Sequence, residues 1–338
     1  MACAPTPPTN AVPAPPALDE FQRIARFYAP LAAGAPGAAG LKDDAAVVTP
    51  TPGHEIVVTA DALIEGVHFR SEDPPDLVAR KMLRVNLSDL AAKGARPFGY
   101  LMTTALPVRC GDDWVERFAA GLARDQAEYG VSLLGGDSVA TPGPIALSVT
   151  ALGELPAGTA VRRGGARPGD AVLVTGTIGD GALGLLALGG ALPALDAAAC
   201  DRLADRYLLP QPRTRTGPAL RGIARAMMDV SDGLVADLGH IAETSGVGAV
   251  IERDRVPLSP AARAAVVADP ACWEAVLGGG DDYELLLTAA PDDPRLDAVR
   301  ALGVPVTAIG RVVAGAGVAV LDAAGRPVPI ARTGYRHL

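Results

Sequence analysis

The segment AMMDVSDGLVADLGHI, residues 226–241, places Asp229, Asp232 and Asp237 in an otherwise apolar stretch. Its first residues, AMMDVS, are typical of a β-strand, and the remainder is typical of a helix that ends at Gly246. A strand that leads into a helix is the building unit of α/β proteins. Buried carboxylates are costly unless a positive charge lies beside them, so the identity of that charge bears on the function.

The first half of the chain mixes strand and helix patterns. Two β-runs flank a Pro/Gly turn in residues 45–61, and the second is expected to end at Asp61. A helix is expected from Pro75 to a cap at Gly94, because apolar residues recur at three- and four-residue spacing. Further patterns predict a helix over 113–129 and strands over 131–134 and 144–153.

The second half repeats this mixture. DAVLVTG (170–176) predicts a strand, and a helix follows through Leu188. Further β-runs cover 283–289, 304–313 and 317–322. We therefore predict a mixed α/β (α+β) chain with two domains, a sheet-bearing N-terminal domain at 19–157 and a C-terminal α/β domain at 158–338. Residues 1–18, rich in Pro and Ala, predict a disordered tail and not a signal peptide.

Composition excludes several classes of protein. The chain has 338 residues and a net charge of −8, and no apolar run approaches the ~20 residues of a membrane span. The three lysines form no basic tract, which argues against a nucleic-acid partner. The four cysteines include no C-x-x-C pair, so neither a disulfide framework nor a zinc site is indicated, and a reducing cytoplasm is expected.

Carboxylates recur at the edges of apolar runs, next to glycines or turns. A single aspartate in such a place is usually a turn residue or a helix cap. A set of them, in a chain with so few lysines, favours hard divalent cations, and Mg²⁺ prefers carboxylates together with substrate phosphates. The positions are Asp43–Asp44, Asp61, Asp89, Asp137, Asp229 with Asp232, and Asp281–Asp282.

The phosphate-binding motifs are unusual. The chain has no G-x-x-x-x-G-K-[ST] motif, which argues against a P-loop NTPase, but GGD at 135–137 offers two glycine amides beside a carboxylate. GDGALG at 179–184 matches a dinucleotide-binding pattern. Its first glycine lies five residues beyond Val174, the last apolar residue of the strand, so close helix–strand packing is the preferred interpretation. His54 and His240 are expected to be structural or solvated, whereas His68 is either packed or a substrate contact.

Nine motifs in order give the chain a family resemblance. It resembles the thiamine-monophosphate kinases, in the superfamily of aminoimidazole ribonucleotide synthetase and selenophosphate synthetase. The motifs are KDDAAV (42–47), TADALIEGVHF (59–69), NLSDLAAKGARP (86–97), LLGGDS (133–138), RRGGARPGD (162–170), VTGTIGDGALGL (174–185), DVSDGLVADLGHI (229–241), GGGDDYELL (278–286) and GYRHL (334–338).

The resemblance implies two α/β domains, with the N-terminal mixed sheets of two subunits pairing in a homodimer. It implies transfer of the γ-phosphoryl group of ATP to thiamine phosphate, assisted by several Mg²⁺ ions. The implied metal residues are Asp44, Thr59, Ala60, Asp61, Asp89, Asp137, Asp229 and Asp232, among which Asp61, Asp89 and Asp232 are catalytic. The implied ATP contacts are Gly136, Asp137, Arg163 and Ser231, and the implied thiamine phosphate contacts are His68, Asp281 and Tyr335.

Four positions depart from the family pattern. Lys42 stands where glycine is usual, Asp281 where glutamate is usual and Tyr335 where tryptophan is frequent, while Ser138 makes GGDS of the commoner GGDT. Another ATP-dependent enzyme of the superfamily remains an alternative, although GVHF and GYRHL favour the thiamine-phosphate reaction. A non-catalytic acidic metal-binding protein is a third hypothesis, but the carboxylates span about 240 residues without an EF-hand-like loop.

Overall fold

The N-terminal part of the chain forms a four-stranded mixed sheet. The structure is a computed structural model that describes residues 18–335. The strands are β1 (His54–Ile64), β2 (Arg96–Leu106), β3 (Ser132–Ala140) and β4 (Ala146–Pro156), in the order β1-β4-β2-β3. β4 is antiparallel to both β1 and β2, whereas β3 is parallel to β2.

Helices cover one face of this sheet. The helices are α1 (Glu20–Arg23), α2 (Pro75–Ala92) and α3 (Asp112–Tyr129), with a π-helix at Ile24–Tyr28 and 3₁₀ turns at Ala29–Ala32 and Pro36–Leu41. α2 starts on Pro75 and ends before Gly94, whose φ of +74° suits a residue without a side chain. Arg84 joins α2 to α3 through two hydrogen bonds, 2.7 and 2.9 Å long, to the fully buried Asp125.

The C-terminal part forms a six-stranded mixed sheet in the order β10-β7-β9-β5-β8-β6. β10 is parallel to β7, and every other neighbouring pair is antiparallel. The strands are β5 (Ala171–Thr175), β6 (Ala226–Asp229), β7 (Gly248–Glu252), β8 (Leu285–Ala289), β9 (Val306–Val313) and β10 (Gly317–Leu321).

Seven helices surround this second sheet within residues 18–335. They are α4 (Asp180–Leu188), α5 (Ala197–Leu208), α6 (Thr216–Ala219), α7 (Leu234–Ser245), α8 (Pro260–Ala268), α9 (Cys272–Gly278) and α10 (Arg295–Arg300). α7 follows β6 closely and ends at Gly246, which has a φ of +67°. A 3₁₀ turn lies at Arg253–Arg255. α2 also contacts β6, so the two sheets meet around this helix.

Most predicted elements are confirmed, and the two-sheet α/β architecture agrees with the expected fold class. The β-run predicted in 45–50 is wrong, because these residues are irregular, and β1 continues past Asp61 to Ile64. The sequence patterns missed β2, β7 and helices α1, α5, α6, α8, α9 and α10. The predicted tail falls almost wholly in residues 1–17, outside the described residues. The predicted boundary between the two domains, at 157/158, lies between β4 and β5. No helix within 18–335 is long and apolar enough to cross a membrane.

Candidate active site

A cleft of about 680 Å³ lies where the two sheets meet. β1 contributes Asp61, α2 contributes Asp89, and the end of β6 contributes Asp229 with the following loop. The structure brings most of the predicted site residues together in this cleft. They are Ala60, Asp61, His68, Asp89, Arg163, Asp229, Ser231, Asp232, Asp281 and Tyr335.

One turn of α2 positions the acidic end of the cleft. Asp89 Oδ2 accepts a hydrogen bond of 2.5 Å from the hydroxyl of Thr59, a predicted metal residue on β1. Ser88 donates a hydrogen bond of 2.6 Å to Asp229 Oδ2, which ties α2 to β6. The Asn86 side chain accepts a 3.1 Å bond from the backbone N–H of Asp61. The motif NLSD thus fixes carboxylates that come from three separate parts of the chain.

The carboxylates of this acidic end repel one another. Burial raises the pKa of Asp61 to about 6, and the negative charges of Asp89 and Asp232 add to the effect. Burial also raises the pKa of Asp229 to about 7, with further contributions from Asp89 and Asp61 that outweigh the Ser88 hydrogen bond. A divalent cation would relieve this repulsion, and the all-oxygen donor set fits Mg²⁺.

The loop after β6 is held from two sides. Asp237, at the start of α7, accepts hydrogen bonds of 3.1 Å from the backbone amides of Ser231, Asp232 and Gly233. The segment 281–283 lies alongside, where the Asp281 N–H donates to the carbonyl of Ser231. The loop therefore keeps Asp232 facing the cleft while its backbone amides are satisfied internally.

The opposite end of the cleft has a different chemistry. Lys81 lies beneath it, with Nζ 3.4 Å from Asp281 Oδ1 and 3.5 Å from the centroid of the Tyr207 ring. The carbonyl of His68 accepts hydrogen bonds from Lys81 Nζ at 3.2 Å and from the Tyr207 hydroxyl at 3.4 Å. The Tyr283 hydroxyl lies 3.3 Å from Asp281 Oδ1. A carboxylate and several aromatic rings at this end suit a cationic heterocycle.

Two further predicted contacts lie at the rim of the cleft. Tyr335 is 38% exposed, and its backbone N–H donates a 2.9 Å hydrogen bond to the carbonyl of Asp232. Arg332 lies over the Tyr335 ring, with 5.6 Å between the guanidinium carbon and the ring centroid. Arg163 is exposed and supplies a second cation to the rim. The rim thus combines an aromatic ring with positive charges that suit phosphate groups.

The remaining predicted residues lie in a second cavity of about 460 Å³. Asp44, Gly136 and Asp137 line it together with apolar side chains of β2 and β3. Gly136 lies in the same cross-strand row as Asp61, three strands away, a separation of about 14 Å. A Cβ on Gly136 would meet the Met102 carbonyl oxygen at 1.8 Å, so only glycine fits there. Within one chain, the predicted metal and ATP residues therefore divide between two cavities.

The motif GDGALG has a structural role. The buried carboxylate of Asp282 accepts hydrogen bonds from the backbone amides of Gly179 and Gly181, at 2.8 to 3.1 Å. These amides, which would bind the phosphate of a dinucleotide, are thus already hydrogen-bonded to a carboxylate of the protein itself. The glycines also allow close packing, as predicted, but not against a strand. Gly179 and Gly184 approach helices α9 and α5, and Gly181 approaches the loop carbonyl of Asp281. A Cβ on Gly184 would lie 2.2 Å from the Leu203 carbonyl oxygen of α5.

Sequence patterns missed four charged or aromatic side chains that line the cleft, namely Lys81, Tyr207, Tyr283 and Arg332. Lys81 lies within the apolar pattern of α2, which marked the helix as core. Tyr207 belongs to α5, a helix that the patterns did not predict. Tyr283 lies two residues from Asp281 in the motif GGGDDYELL, and this proximity could have marked it as a residue of the cleft.

Comparison with known proteins shows the family of the chain. The family of AIR synthase related proteins matches in both of its domains, the N-terminal domain at residues 42–155 and the C-terminal domain at 167–323. The thiamine-monophosphate kinase of Caulobacter vibrioides is 46% identical over 335 residues, which cover 97% of this chain and 93% of the relative. The chain belongs to the thiamine-monophosphate kinase family.

Solved structures of this family share the fold. The thiamine-monophosphate kinase from Stenotrophomonas maltophilia K279a is 44% identical, with a TM-score of 0.76 over 83% of this chain and 89% of that one. AaThiL complexed with AMPPCP and TMP is 35% identical, with a TM-score of 0.76 over 88% of this chain and 91% of that one.

Proposed function

We propose that this thiamine-monophosphate kinase family member transfers the γ-phosphoryl group of ATP to the phosphate of thiamine phosphate. An oxygen of thiamine phosphate forms a bond to the γ-phosphorus, the bond to the β–γ bridging oxygen breaks, and ADP leaves with that electron pair. The products are thiamine diphosphate and ADP. The observation that carries the proposal is a single cleft with repelling carboxylates at one end and a carboxylate with aromatic rings at the other.

The acidic end would supply the conditions for phosphoryl transfer. A phosphate oxygen is already anionic near neutral pH, so the reaction requires no dedicated general base. The obstacle is repulsion between two polyanions, which positioning and charge neutralisation overcome. Asp61, Asp89, Asp229 and Asp232 would hold Mg²⁺, with Thr59 and the backbone at Ala60 beside them. When bound, Mg²⁺ supplies positive charge against the transferring phosphoryl group.

The other end of the cleft would bind the thiamine part of the acceptor. Its thiazolium ring is a cation, and Asp281 with the ring of Tyr335 offers the charge and the π-face that such a cation prefers. The His68 carbonyl contacts Lys81 and Tyr207. The His68 ring accepts a hydrogen bond of 3.0 Å at Nδ1 from the backbone N–H of Ile64, which holds the ring at this end of the cleft. Arg163 and Ser231 would contact ATP from the same cleft.

A homodimer would cover the exposed apolar face of the four-stranded sheet. The face of the four-stranded sheet opposite α2 carries exposed apolar side chains, with Val58 at 59% and Leu101 at 40% exposure. The cavity with Asp44, Gly136 and Asp137 opens beside Leu101. Pairing of two such sheets would cover this surface and bring a second chain to the predicted ATP and metal residues. Free cysteines, among the described residues Cys110, Cys200 and Cys272, support a cytoplasmic location.

Product analysis tests the proposal. The protein is mixed with Mg²⁺, ATP and thiamine phosphate, and the products are separated by chromatography. We expect equal amounts of ADP and thiamine diphosphate, no reaction without Mg²⁺, and almost none with Asp232→Asn. Formation of ADP and inorganic phosphate without thiamine diphosphate would show transfer to water only. That result would reject thiamine phosphate as the acceptor and favour another ATP-dependent reaction of the superfamily.

A further inference from the structure

A group of two carboxylates and an imidazole, Asp232, Asp237 and His240, lies at the start of α7. Asp237 and His240 are three residues apart on α7, so their side chains point to the same side of the helix. One ligand atom from each of Asp232, Asp237 and His240 lies within 4.8 Å of the other two. Asp232 and His240 also line a groove beside α7, separate from the cleft described above.

Asp237 provides an independent sign of a missing ligand. Its side chain is fully buried, and Oδ2 accepts three hydrogen bonds from the backbone amides of residues 231–233. Oδ1 is also buried, yet it has no hydrogen-bond partner in the described part of the chain. A buried acceptor without a partner is destabilising, and native proteins contain few of them. A bound cation would satisfy this oxygen.

We propose that Asp232, Asp237 and His240 bind a transition-metal ion of the Zn²⁺ class. An imidazole ligand suits Zn²⁺ and similar ions, whereas Mg²⁺ prefers oxygen ligands alone. Ligand bonds of ~2.0–2.1 Å in a tetrahedral site place the ligand atoms roughly 3.3 Å apart, so the group must contract by about 1.5 Å at most. His240 is exposed on the helix surface and can make this adjustment by rotating its side chain.

Asp232 connects this site to the acidic end of the cleft. Asp232 lines both the cleft and the groove beside α7, so its carboxylate faces two metal environments. An ion held by Asp237 and His240 would draw Asp232 away from the acidic end of the cleft. If the proposed kinase reaction is correct, Zn²⁺ therefore inhibits it through His240, even when Mg²⁺ is saturating. The binding site itself does not depend on that reaction.

Calorimetric titration with Zn²⁺ tests the inference on the full chain, stripped of metals and then saturated with Mg²⁺. We expect the wild type to bind Zn²⁺ at a site that Mg²⁺ does not fill. The variant His240→Ala should bind that ion at least about tenfold more weakly, which corresponds to ~1.4 kcal/mol. His54→Ala is the matched control, because His54 lies at the start of β1, an edge strand of the other sheet, and it should retain wild-type affinity.

The outcomes separate clearly. Equal Zn²⁺ affinity in the wild type and both variants would place the ion elsewhere, for example on a cysteine, and would overturn the proposal. Displacement of Zn²⁺ by excess Mg²⁺ would overturn it as well. The titration requires no turnover, so a failure of the proposed kinase reaction would leave it interpretable. Where turnover is measured, all three proteins should be equally active with Mg²⁺ alone, and only His240→Ala should resist Zn²⁺.

Discussion

Lys81 Nζ lies 3.4 Å from Asp281 Oδ1, and this contact joins the two domains at the end of the cleft proposed for thiamine. Lys81 is only 3% exposed, and its ammonium group also contacts the His68 carbonyl and the Tyr207 ring. Asp281 lies in the loop before β8, at a left-handed φ of +62°. A buried ammonium needs its partners, so the Lys81–Asp281 pair should contribute to both stability and substrate affinity.

The first prediction concerns the stability of this pair. Lys81→Met keeps the alkyl stem against Tyr207 but removes the charge, and Asp281→Asn keeps the shape of the other partner. A double-mutant cycle measured by urea unfolding should give a coupling energy of about 1 kcal/mol. Asp281→Asn alone should destabilise the protein more than it destabilises the Lys81→Met background. Additive effects would show that the two groups do not interact.

The second prediction concerns substrate affinity at Asp281. Attraction between Asp281 and a thiazolium acts before and during transfer, and such uniform binding affects KM more than kcat. Asp281→Asn should raise KM for thiamine phosphate on the order of tenfold, equivalent to ~1.4 kcal/mol. KM for ATP should stay nearly unchanged, and Asp281→Glu should retain most activity. A variant with lower thermal stability but two unchanged KM values would remove Asp281 from the site.

The third prediction concerns the acidic end of the cleft. Asp61→Asn and Asp232→Asn each remove charge that would hold Mg²⁺ against the transferring phosphoryl group. Each should lower kcat by roughly 10²–10³-fold, and the double variant should lose much less than the product of the two effects. Circular dichroism should show an intact fold. Near-normal turnover in both single variants would reject the metal-cluster hypothesis.

The parts of the site that could be predicted are those with a local signal. Asp229 and Asp232 follow an apolar strand, and Asp89 interrupts an apolar helix, so each stands out within its own segment. Lys81 could not be recognised in this way. Its role depends on Asp281 and Tyr207, which lie about 200 and 126 residues further along the chain. Only tertiary structure brings these three groups together.

The errors in the fold also have physical causes. The β-run in 45–50 has the composition of a strand, but no neighbouring strand pairs with it, and a strand requires a partner. β2 was missed although it lies between β4 and β3. Its second residue is Pro97, and its register shifts between Pro97 and Gly99, an irregularity that conceals the alternating pattern of its side chains.

The fourth prediction concerns assembly. Val58 is 59% exposed on β1, on the sheet face that we propose a second subunit covers. Val58→Glu places a charge in that interface and should convert a dimer into a monomer at micromolar concentration, as measured by light scattering. Val267→Glu is the matched control, because Val267 is 77% exposed on α8, in the other domain. A wild-type protein that is already monomeric would contradict the proposal.

The fifth prediction concerns pH and metal removal. The pKa of Asp61 is raised to about 6 and that of Asp229 to about 7, from 3.8 in the unfolded chain. Between pH 4 and 7 the folded state therefore binds more protons than the unfolded state. The free energy of unfolding of the metal-free protein should fall as pH rises through this window. Asp237, whose pKa is raised to about 8, adds to the same trend.

Bound Mg²⁺ and the substitution Asp229→Asn should each weaken this fall in stability with rising pH, for different reasons. Bound Mg²⁺ replaces the protons at the acidic end and binds more tightly as pH rises, so saturating Mg²⁺ should raise Tm most at pH 8 and little at pH 4. Asp229→Asn cannot ionise, and it still accepts the Ser88 hydrogen bond through its amide oxygen. The metal-free variant should therefore match the wild type in Tm at pH 4 and exceed it at pH 8. A lower Tm than wild type at pH 8 would show that the Asp229 carboxylate is stabilised within the fold without a metal.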